Sequence, residues 1–333
     1  MPAVGIGIGG HIGSIEELAR AAEEGGYESV WVAETAFSAF VQATLAVRAT
    51  ERVKVGTAIA LAFPRSPAIA AMSARDLQEL SDGRFILGLG SQVKRVNEHR
   101  FSVPFEHPAP KMAEYAEVVR GVLGAFGGKP IDHRGRFYTV TMPPFPGAGP
   151  VDDVPIYFAA VNEKMLEAAG RVADGIVGHP LTSPDYVRQV VRPAVERGAR
   201  SAGRDPGDVS ITNSLILQLN EDRERARFEA AVQIGFYATT RTYRPVLELH
   251  GFGDLVTPLR DAYLAGDLVK LAEIAMPMVD TYAIAGDEDA CREGLARFDG
   301  LLDRVILGSA WVGPPEAVVE NHRRLLHTFR PAG

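Results

Sequence analysis

Short apolar runs alternate with longer segments of helical periodicity along the whole chain. The runs are rich in β-branched residues or glycine, which predicts buried strands, and the segments between them carry apolar residues three and four positions apart, which predicts amphipathic helices. Strands are expected at Val4–Gly9, Ser29–Ala33, Val53–Ala60, Arg84–Gly90, Ile156–Ala160, Gly175–Gly178, Val209–Leu219 and Arg304–Leu307. This alternation is typical of βαβ units and a parallel sheet.

A helix is expected after each of these strands. Ser14 opens the first helix as an N-cap with Glu17 three positions on, the spacing of a capping box, and Gly25 and Gly26 end it. The others are expected at Phe40–Thr50, Pro67–Leu80, Pro110–Phe126, Glu163–Val172, Pro184–Ala202, Glu221–Tyr237 and Pro315–Phe329. Eight strand–helix pairs predict a closed (β/α)₈ TIM barrel of α/β class, one domain over residues 1–333, because a doubly wound sheet leaves exposed edges and usually has fewer strands.

Two stretches exceed a minimal barrel repeat. Residues 128–154 are rich in Gly, Pro and Asp and predict a small hairpin before the fifth strand. Residues 239–284 predict short helices before the eighth strand. Insertions of this kind build lids and substrate walls in barrel enzymes, or they are surface elaborations or oligomer contacts.

Composition excludes several classes of function. The formal net charge of −7, with basic residues scattered among acids, argues against nucleic-acid binding, which needs clustered Lys and Arg. Cys291 is the single cysteine, so an intrachain disulfide is excluded, and it is expected to pack inside a helix. The start of the chain lacks the pattern of a signal peptide, and no apolar run reaches the roughly 18 residues that span a bilayer. We expect a cytoplasmic protein without a membrane or nucleic-acid partner.

The first strand carries a glycine pattern that also occurs in dinucleotide-binding folds. Gly5, Gly7 and Gly10 satisfy G-x-G-x-x-G, and Glu34 follows at a distance suited to a ribose contact. That motif must follow a strand and open a helix, whereas these glycines belong to the strand itself. Small residues here are better explained by room for a flat ring at the barrel mouth.

The sequence lacks the common motifs of metal and nucleophilic catalysis. The eight histidines show no metal-ligand spacing, and no Gly-x-Ser-x-Gly elbow or P-loop is present. His11 and His179 fall at the carboxyl ends of predicted strands, where each is either catalytic or a hydrogen-bonded structural histidine.

The segment from Val53 to Phe101 carries a family resemblance. The third strand, the sequence R-S-P-A-I at a helix start, and D-L-Q-E-L-S-D-G-R-F-I-L-G-L-G together resemble the bacterial luciferase-like superfamily. Within it they are similar to the coenzyme F420-dependent oxidoreductases, which include methylene-tetrahydromethanopterin reductase. The stretches GGYESVWVAET and IYFAAVNEKMLEAAGRVADGIVGHP extend the resemblance over most of the chain.

The resemblance implies a cofactor site. Members have a non-prolyl cis peptide in the third strand that holds the ring bent, and matching back from R-S-P places it at Ala58-Ile59. Family contacts to the ring edge and ribityl chain carry over to residues after the fourth strand: Gly90, Ser91, Gln92 and Asn97. The cofactor phosphate is expected at a helix N-terminus and nearby loops, with candidates Ala160, Val161, Asn162, His179, Thr182 and Ser183. Thr182 and Ser183 either donate hydroxyl groups to it or cap the next helix.

The acid–base residues depart from the family pattern. Several members have an acid followed by histidine after the second strand, whereas this chain has Glu34-Thr35, so no catalytic histidine carries over. Gln92 stands within the stretch where relatives have Gly-x-Gly-x-Glu, and a second acid is lost. Glu34 and Glu98 remain as acid/base candidates, and burial is expected to raise the pKa of either.

These features predict hydride transfer between coenzyme F420 and a small organic substrate. Phe37, Phe40, Phe63 and the late insertion are expected to wall the substrate pocket. Two alternatives stay open: a two-component monooxygenase that uses FMN, and a non-catalytic flavin-binding barrel. A homodimer is expected from the resemblance.

Overall fold

The computed structural model describes residues 2–145, 149, 153–308 and 315–331. Its strands are β1 Ala3–Ile8, β2 Ser29–Val32, β3 Lys54–Thr57, β4 Ala60–Leu61, β5 Phe85–Gly90, β6 Ile131–Arg134, β7 Thr139–Met142, β8 Ile156–Ala159, β9 Gly175–Gly178, β10 Ser210–Leu219, β11 Ala283–Gly286 and β12 Arg304–Gly308. All eight predicted strands are present.

Helices separate the strands. They are α1 Ile15–Glu24, α2 Ala39–Ala49, α3 Pro67–Leu80, α4 Lys94–Arg100, α5 Pro108–Phe126, α6 Glu163–Val172, α7 Pro184–Tyr186, α8 Arg192–Ser201, α9 Arg223–Ala238, α10 Arg244–Glu248, α11 Val256–Leu264, α12 Leu268–Ala275, α13 Val279–Tyr282, α14 Glu288–Ala296 and α15 Pro315–Thr328. The predicted helices are found with shifts of one or two residues at most ends.

The eight predicted strands form a closed parallel barrel. They pair in the order β1, β2, β3, β5, β8, β9, β10 and β12, and β12 pairs with β1. The predicted (β/α)₈ architecture is therefore confirmed. The expected hairpin before the fifth barrel strand is also confirmed, because β6 and β7 pair antiparallel.

Contacts along the chain group it into two compact units. The central unit comprises residues 31–177 and 194–210, and the terminal unit comprises residues 1–30, 178–193 and 211–333. The prediction of one domain stays a prediction.

In the central unit, register brings small and large residues face to face. Phe85 pairs with Val55, and Leu87 pairs with Ile156 in the next strand. A Cβ at Gly88 would overlap the carbonyl oxygen of Thr57, so only glycine fits there. This close approach packs Gly88 of β5 against Thr57 at the end of β3.

In the terminal unit, β10 is long enough to pair twice. Its first half pairs with β12, and Ile216–Leu219 pairs with β11. The late insertion was expected to hold only short helices, so β11 corrects that prediction. Cys291 is buried in α14, as expected.

Two further local predictions are wrong. Ser14 precedes α1 but makes no side-chain cap, because a 3-10 turn over Ile12–Ser14 comes first and the His11 side chain accepts the Gly13 N–H. The single helix expected over 184–202 contains a π-helical stretch, Val187–Val191, between α7 and α8. Pro193 follows directly and has no N–H for a regular α-helical bond, which explains the change in hydrogen bonding.

Candidate active site

The segment between β3 and β4 contains a cis peptide bond between Ala58 and Ile59, where the sequence placed it. The Ala58 N–H donates to the Val32 carbonyl oxygen at 2.7 Å, and the Ile59 carbonyl accepts from the Glu34 N–H at 3.2 Å. The end of β2 therefore holds this stretch, residues 58–61, which we call the bulged segment.

Glu34 anchors the bulged segment with its side chain as well. Its Oε2 accepts from the Leu61 N–H at 2.8 Å and from Arg65 Nη1 at 2.6 Å, while Oε1 accepts from Arg65 Nη2. The Glu34 side chain is 10% exposed and that of Arg65 is 25% exposed. The guanidinium also lies 5.3 Å from the ring centre of Phe40. Sequence reasoning singled out Glu34 but missed Arg65, which pairs with both carboxylate oxygens.

Gly90, the last residue of β5, lies against the bulged segment, and a turn follows it. The Gly90 carbonyl accepts from the Ala62 N–H at 3.0 Å, and a Cβ on Gly90 would lie 2.5 Å from the Ile59 side chain. Gln92 has φ of +58°, a left-handed conformation that glycine adopts most easily. Its Oε1 accepts from the Val93 N–H at 2.9 Å. The Ser91 hydroxyl donates to the Gln92 carbonyl at 3.2 Å, so this turn is held by its own side chains.

Asn97 is fully buried at the first turns of α4. Its Nδ2 donates to the carbonyls of Ser91 at 2.8 Å and Val93 at 3.1 Å, which fixes the amide orientation. Its Oδ1 is buried and has no hydrogen-bond partner among the described residues. A buried acceptor without a donor is costly, so Oδ1 suits a donor from a bound molecule.

Glu98 lies on the exposed side of α4. Its carboxylate is 3.7 Å from Lys94 Nζ, and 35% of its side chain is exposed. The burial expected for Glu98 is not found, because the adjacent Asn97, not Glu98, faces the interior.

Ala160, Val161 and Asn162 connect β8 to the N-terminus of α6, as expected. Ala160 is buried, whereas Val161 and Asn162 are half-buried. The side chain of the N-cap residue, Asn162, does not cap this helix end. Uncapped N–H groups at a helix start favour an anion, so this end fits the predicted phosphate position.

In the terminal unit, His179 follows β9 and packs between two tyrosines. Its ring centre is 4.0 Å from that of Tyr243 and 4.5 Å from that of Tyr237. The Leu181 N–H donates to Nδ1 at 3.1 Å, which places the ring proton on Nε2. Burial lowers the pKa of His179 to about 3, so the ring is a neutral hydrogen-bond donor at physiological pH.

Thr182 and Ser183 are both buried. The Ser183 Oγ accepts from the Tyr186 N–H at 3.0 Å and lies 2.8 Å from His250 Nε2. Its hydroxyl thus has the capping role that sequence analysis left open. No structural observation assigns Thr182 to a ligand.

The aromatic residues expected to wall the substrate pocket all belong to the central unit. Phe37 and Phe40 are half-buried and Phe63 is buried. Phe63 packs against Phe105 with ring centres 5.9 Å apart. Lys111 Nζ lies 4.6 Å from the centre of the Phe63 ring, a contact that the sequence did not predict.

Two open cavities of about 400 Å³ occur among the described residues, and only the second includes a candidate residue, Ser183. One lies in the central unit beside Arg120, Arg171 and Arg204, and the other lies in the terminal unit beside Ser183 and His250. The candidate site instead rests on the strand ends described above. Across the described ranges, no group of His, Cys, Asp and Glu suits a metal ion, and no helix is both long and apolar enough to cross a membrane.

Comparison with known families gives one match over nearly the whole chain. The family described as luciferase-like monooxygenase matches residues 3–304.

Individual relatives agree with that match. An uncharacterised protein of Mycobacterium tuberculosis is 38% identical over 310 residues, which cover 88% of this chain and 91% of that protein. The 5,10-methylenetetrahydromethanopterin reductase of Methanolobus tindarius is 31% identical over 315 residues, with 90% and 91% of the two chains covered. Among solved structures, the coenzyme F420-dependent tetrahydromethanopterin reductase of Methanopyrus kandleri is similar in fold. It has a TM-score of 0.82 and 22% identity, and the match covers 99% of this chain and 98% of that one.

Proposed function

Because the chain belongs to the luciferase-like monooxygenase family, we propose that it is an oxidoreductase that transfers hydride between coenzyme F420 and a small organic substrate. The similarity to a methylenetetrahydromethanopterin reductase, over nine-tenths of both chains, supports this class of enzyme. The cofactor is assigned to the carboxyl ends of the strands in the central unit, where ligands of parallel barrels bind.

The single observation that carries the proposal is the buried, unpartnered Oδ1 of Asn97. Asn97 holds the turn at Ser91 through its amide nitrogen, and Gly90 in turn contacts the bulged segment. A flat ring with an N–H at its edge satisfies this acceptor. The residues present therefore fit such a cofactor.

Each part of the central unit has a distinct role in this proposal. Asn97 accepts a hydrogen bond from the ring edge, and Ser91 and Gln92 shape the turn beside it. The N-terminus of α6, reached through Ala160–Asn162, holds the phosphate. When bound, coenzyme F420 supplies the ring carbon that carries the hydride. The protein orients that ring and excludes water from it.

Glu34 is the better placed of the two acid/base candidates, because Glu98 is exposed and paired with Lys94. We assign Glu34 first the task of holding the bulged segment, since both its oxygens already accept hydrogen bonds. A role as proton donor requires release from Arg65. The variants Glu34→Gln and Arg65→Met separate these roles. If Glu34 is a proton donor, Glu34→Gln alone alters the pH–rate profile. If Glu34 and Arg65 only hold the bulged segment, both variants lower the rate.

Turnover with defined cofactors tests the proposed function. A panel of alcohols, aldehydes and enones is assayed with oxidised and reduced coenzyme F420, with and without oxygen. We expect substrate-dependent oxidation or reduction of the cofactor that does not require oxygen, and transfer of deuterium from labelled reduced cofactor to product. Oxygen-dependent turnover with reduced FMN identifies the monooxygenase alternative and overturns the assignment.

The non-catalytic alternative is tested by the same panel. A flavin-binding barrel without activity binds the cofactor but gives no turnover with any substrate of the panel. The expected homodimer stays a prediction, which light scattering after size-exclusion chromatography tests.

A further inference from the structure

Lys111 lies at the carboxyl-terminal side of the strands and has no ion-pair partner among the residues that the structure describes. It lies on the first turn of α5, which follows the loop after β5. Phe63, whose ring faces its Nζ at 4.6 Å, comes two residues after β4 on the same side. Both residues belong to the central unit, and Phe63 follows the bulged segment in the chain.

Two cations of the central unit are neutralised by carboxylates, unlike Lys111. Arg65 is paired with Glu34, and Lys94 with Glu98. Lys111 forms no ion pair with any residue in the described ranges, although it is half-buried. Glu114, one turn further along α5, is already engaged by the N–H groups of residues 136–138. The Lys111 ammonium therefore faces an aromatic ring with its charge unpaired.

The segment that ends at Lys111, which includes α4, has a small excess of positive charge in an acidic protein. Residues 91–111 contain four Lys and Arg and two Glu, whereas the whole chain has a formal net charge of −7. A local excess of positive charge raises the concentration of anions at a surface and guides them to it.

We infer that the substrate carries an anionic group, a carboxylate or a phosphate, and that Lys111 binds this group beside the Phe63 ring. The inference rests on the proposed function, since it takes the strand ends of the central unit as the place where substrate binds. Phe63 contacts the ammonium through a cation–π interaction and limits its hydration. The positive charge of Lys111 is therefore held in a fixed position where an anion can bind. Lys111 is thus a specificity residue.

Binding to the protein loaded with coenzyme F420 tests the inference, with succinate and inorganic phosphate as probes for the two anions. Calorimetry is expected to show binding of at least one probe. We expect Lys111→Met to weaken it tenfold to a hundredfold, which corresponds to about 1.4–2.8 kcal/mol. Lys111→Arg, which keeps the charge, is expected to stay within threefold of the wild type. Lys129→Met, an exposed lysine just past the other end of α5, is the matched control and should bind as the wild type does.

Other outcomes overturn the inference. No binding of either probe to the wild type, or equal binding by Lys111→Met, contradicts it. So does a loss of coenzyme F420 affinity in Lys111→Met with unchanged probe binding, because Lys111 would then serve the cofactor.

The same binding data separate this inference from the proposed function. If the chain does not bind coenzyme F420, the proposed function fails. Anion binding by the unloaded protein, measured with the same variants, still decides whether Lys111 forms an anion site. Turnover adds a second readout: 4-oxobutanoate should be favoured over butanal by the wild type and not by Lys111→Met.

Discussion

The ion pair between Glu34 and Arg65 should contribute measurably to stability as well as to the site. Glu34 accepts hydrogen bonds from Arg65 Nη1 at 2.6 Å and from the Leu61 N–H at 2.8 Å, with a further bond from Arg65 Nη2 to its other oxygen. Breaking a fully buried pair costs about 3–5 kcal/mol, and the partial exposure of Arg65 reduces this, so we expect Glu34→Gln to lower the free energy of unfolding by about 2 kcal/mol.

Urea denaturation of four variants measures this effect. Arg65→Met should destabilise the protein by a similar amount, because it leaves the Glu34 carboxylate without its cation. The double variant should lose less than the two single losses added together, with a coupling energy of about 1 kcal/mol or more. Glu98→Gln is the control, and its effect should stay within about 0.5 kcal/mol because Glu98 is exposed.

The reasoning is refuted if Glu34→Gln and Glu98→Gln unfold at the same urea concentration. It is refuted equally if the losses in the double variant are additive, since Glu34 and Arg65 would then not act as a unit.

Three further predictions concern glycine packing and pH. Gly88→Ala should destabilise the protein by about 3 kcal/mol or more, because the new Cβ would overlap the Thr57 carbonyl. Gly124→Ala in α5 should stabilise the protein by about 0.5–1 kcal/mol, because its Cβ would meet no atom closer than 3.9 Å. Thermal unfolding of the two variants compares these effects. Burial lowers the pKa of His179 to about 3. The protein should therefore become less stable as pH falls from about 6.5 towards 3, because the unfolded chain then binds a proton at this ring and the folded chain does not. NMR should show the His179 ring signals unchanged between pH 5 and 8, and a ring that titrates there contradicts the assignment. Burial tends to raise the pKa of Glu114, but hydrogen bonds from the N–H groups of Phe137 and Tyr138 and from the His133 side chain outweigh burial and lower this pKa. Ionised Glu114 should therefore stabilise the protein above the pKa of the unfolded state, and this stabilisation should be lost as acid protonates it. Glu114→Gln should flatten that part of the acid unfolding curve, and an unchanged curve counts against this role.

The barrel could be predicted from the sequence because the apolar patterns that indicate its strands and helices are local and repeat along the chain. Each strand and helix has its own apolar pattern, and eight repeats leave few topologies. The position of the cis peptide at Ala58-Ile59 followed from the family pattern around R-S-P and is confirmed. Local signals failed where another pattern competed, as at Ser14, where a 3-10 turn precedes the helix.

The side-chain contacts of the site were harder to predict because they join distant positions. Glu34 and Arg65 are separated by 31 positions, and no periodic pattern links them. Lys111 and Phe63 likewise come together through the fold, on α5 and after β4. Glu98 was chosen from its place beside Asn97, but neighbouring helix positions face different directions, so burial of one does not imply burial of the other.

Equilibrium titration of the purified protein with coenzyme F420 and with FMN tests the central claim most directly. We expect saturable binding of coenzyme F420, preferred over FMN, with affinity at least tenfold weaker in Asn97→Ala because the ring-edge acceptor is lost. Preferential binding of FMN, or binding of coenzyme F420 that Asn97→Ala leaves unchanged, would contradict the account.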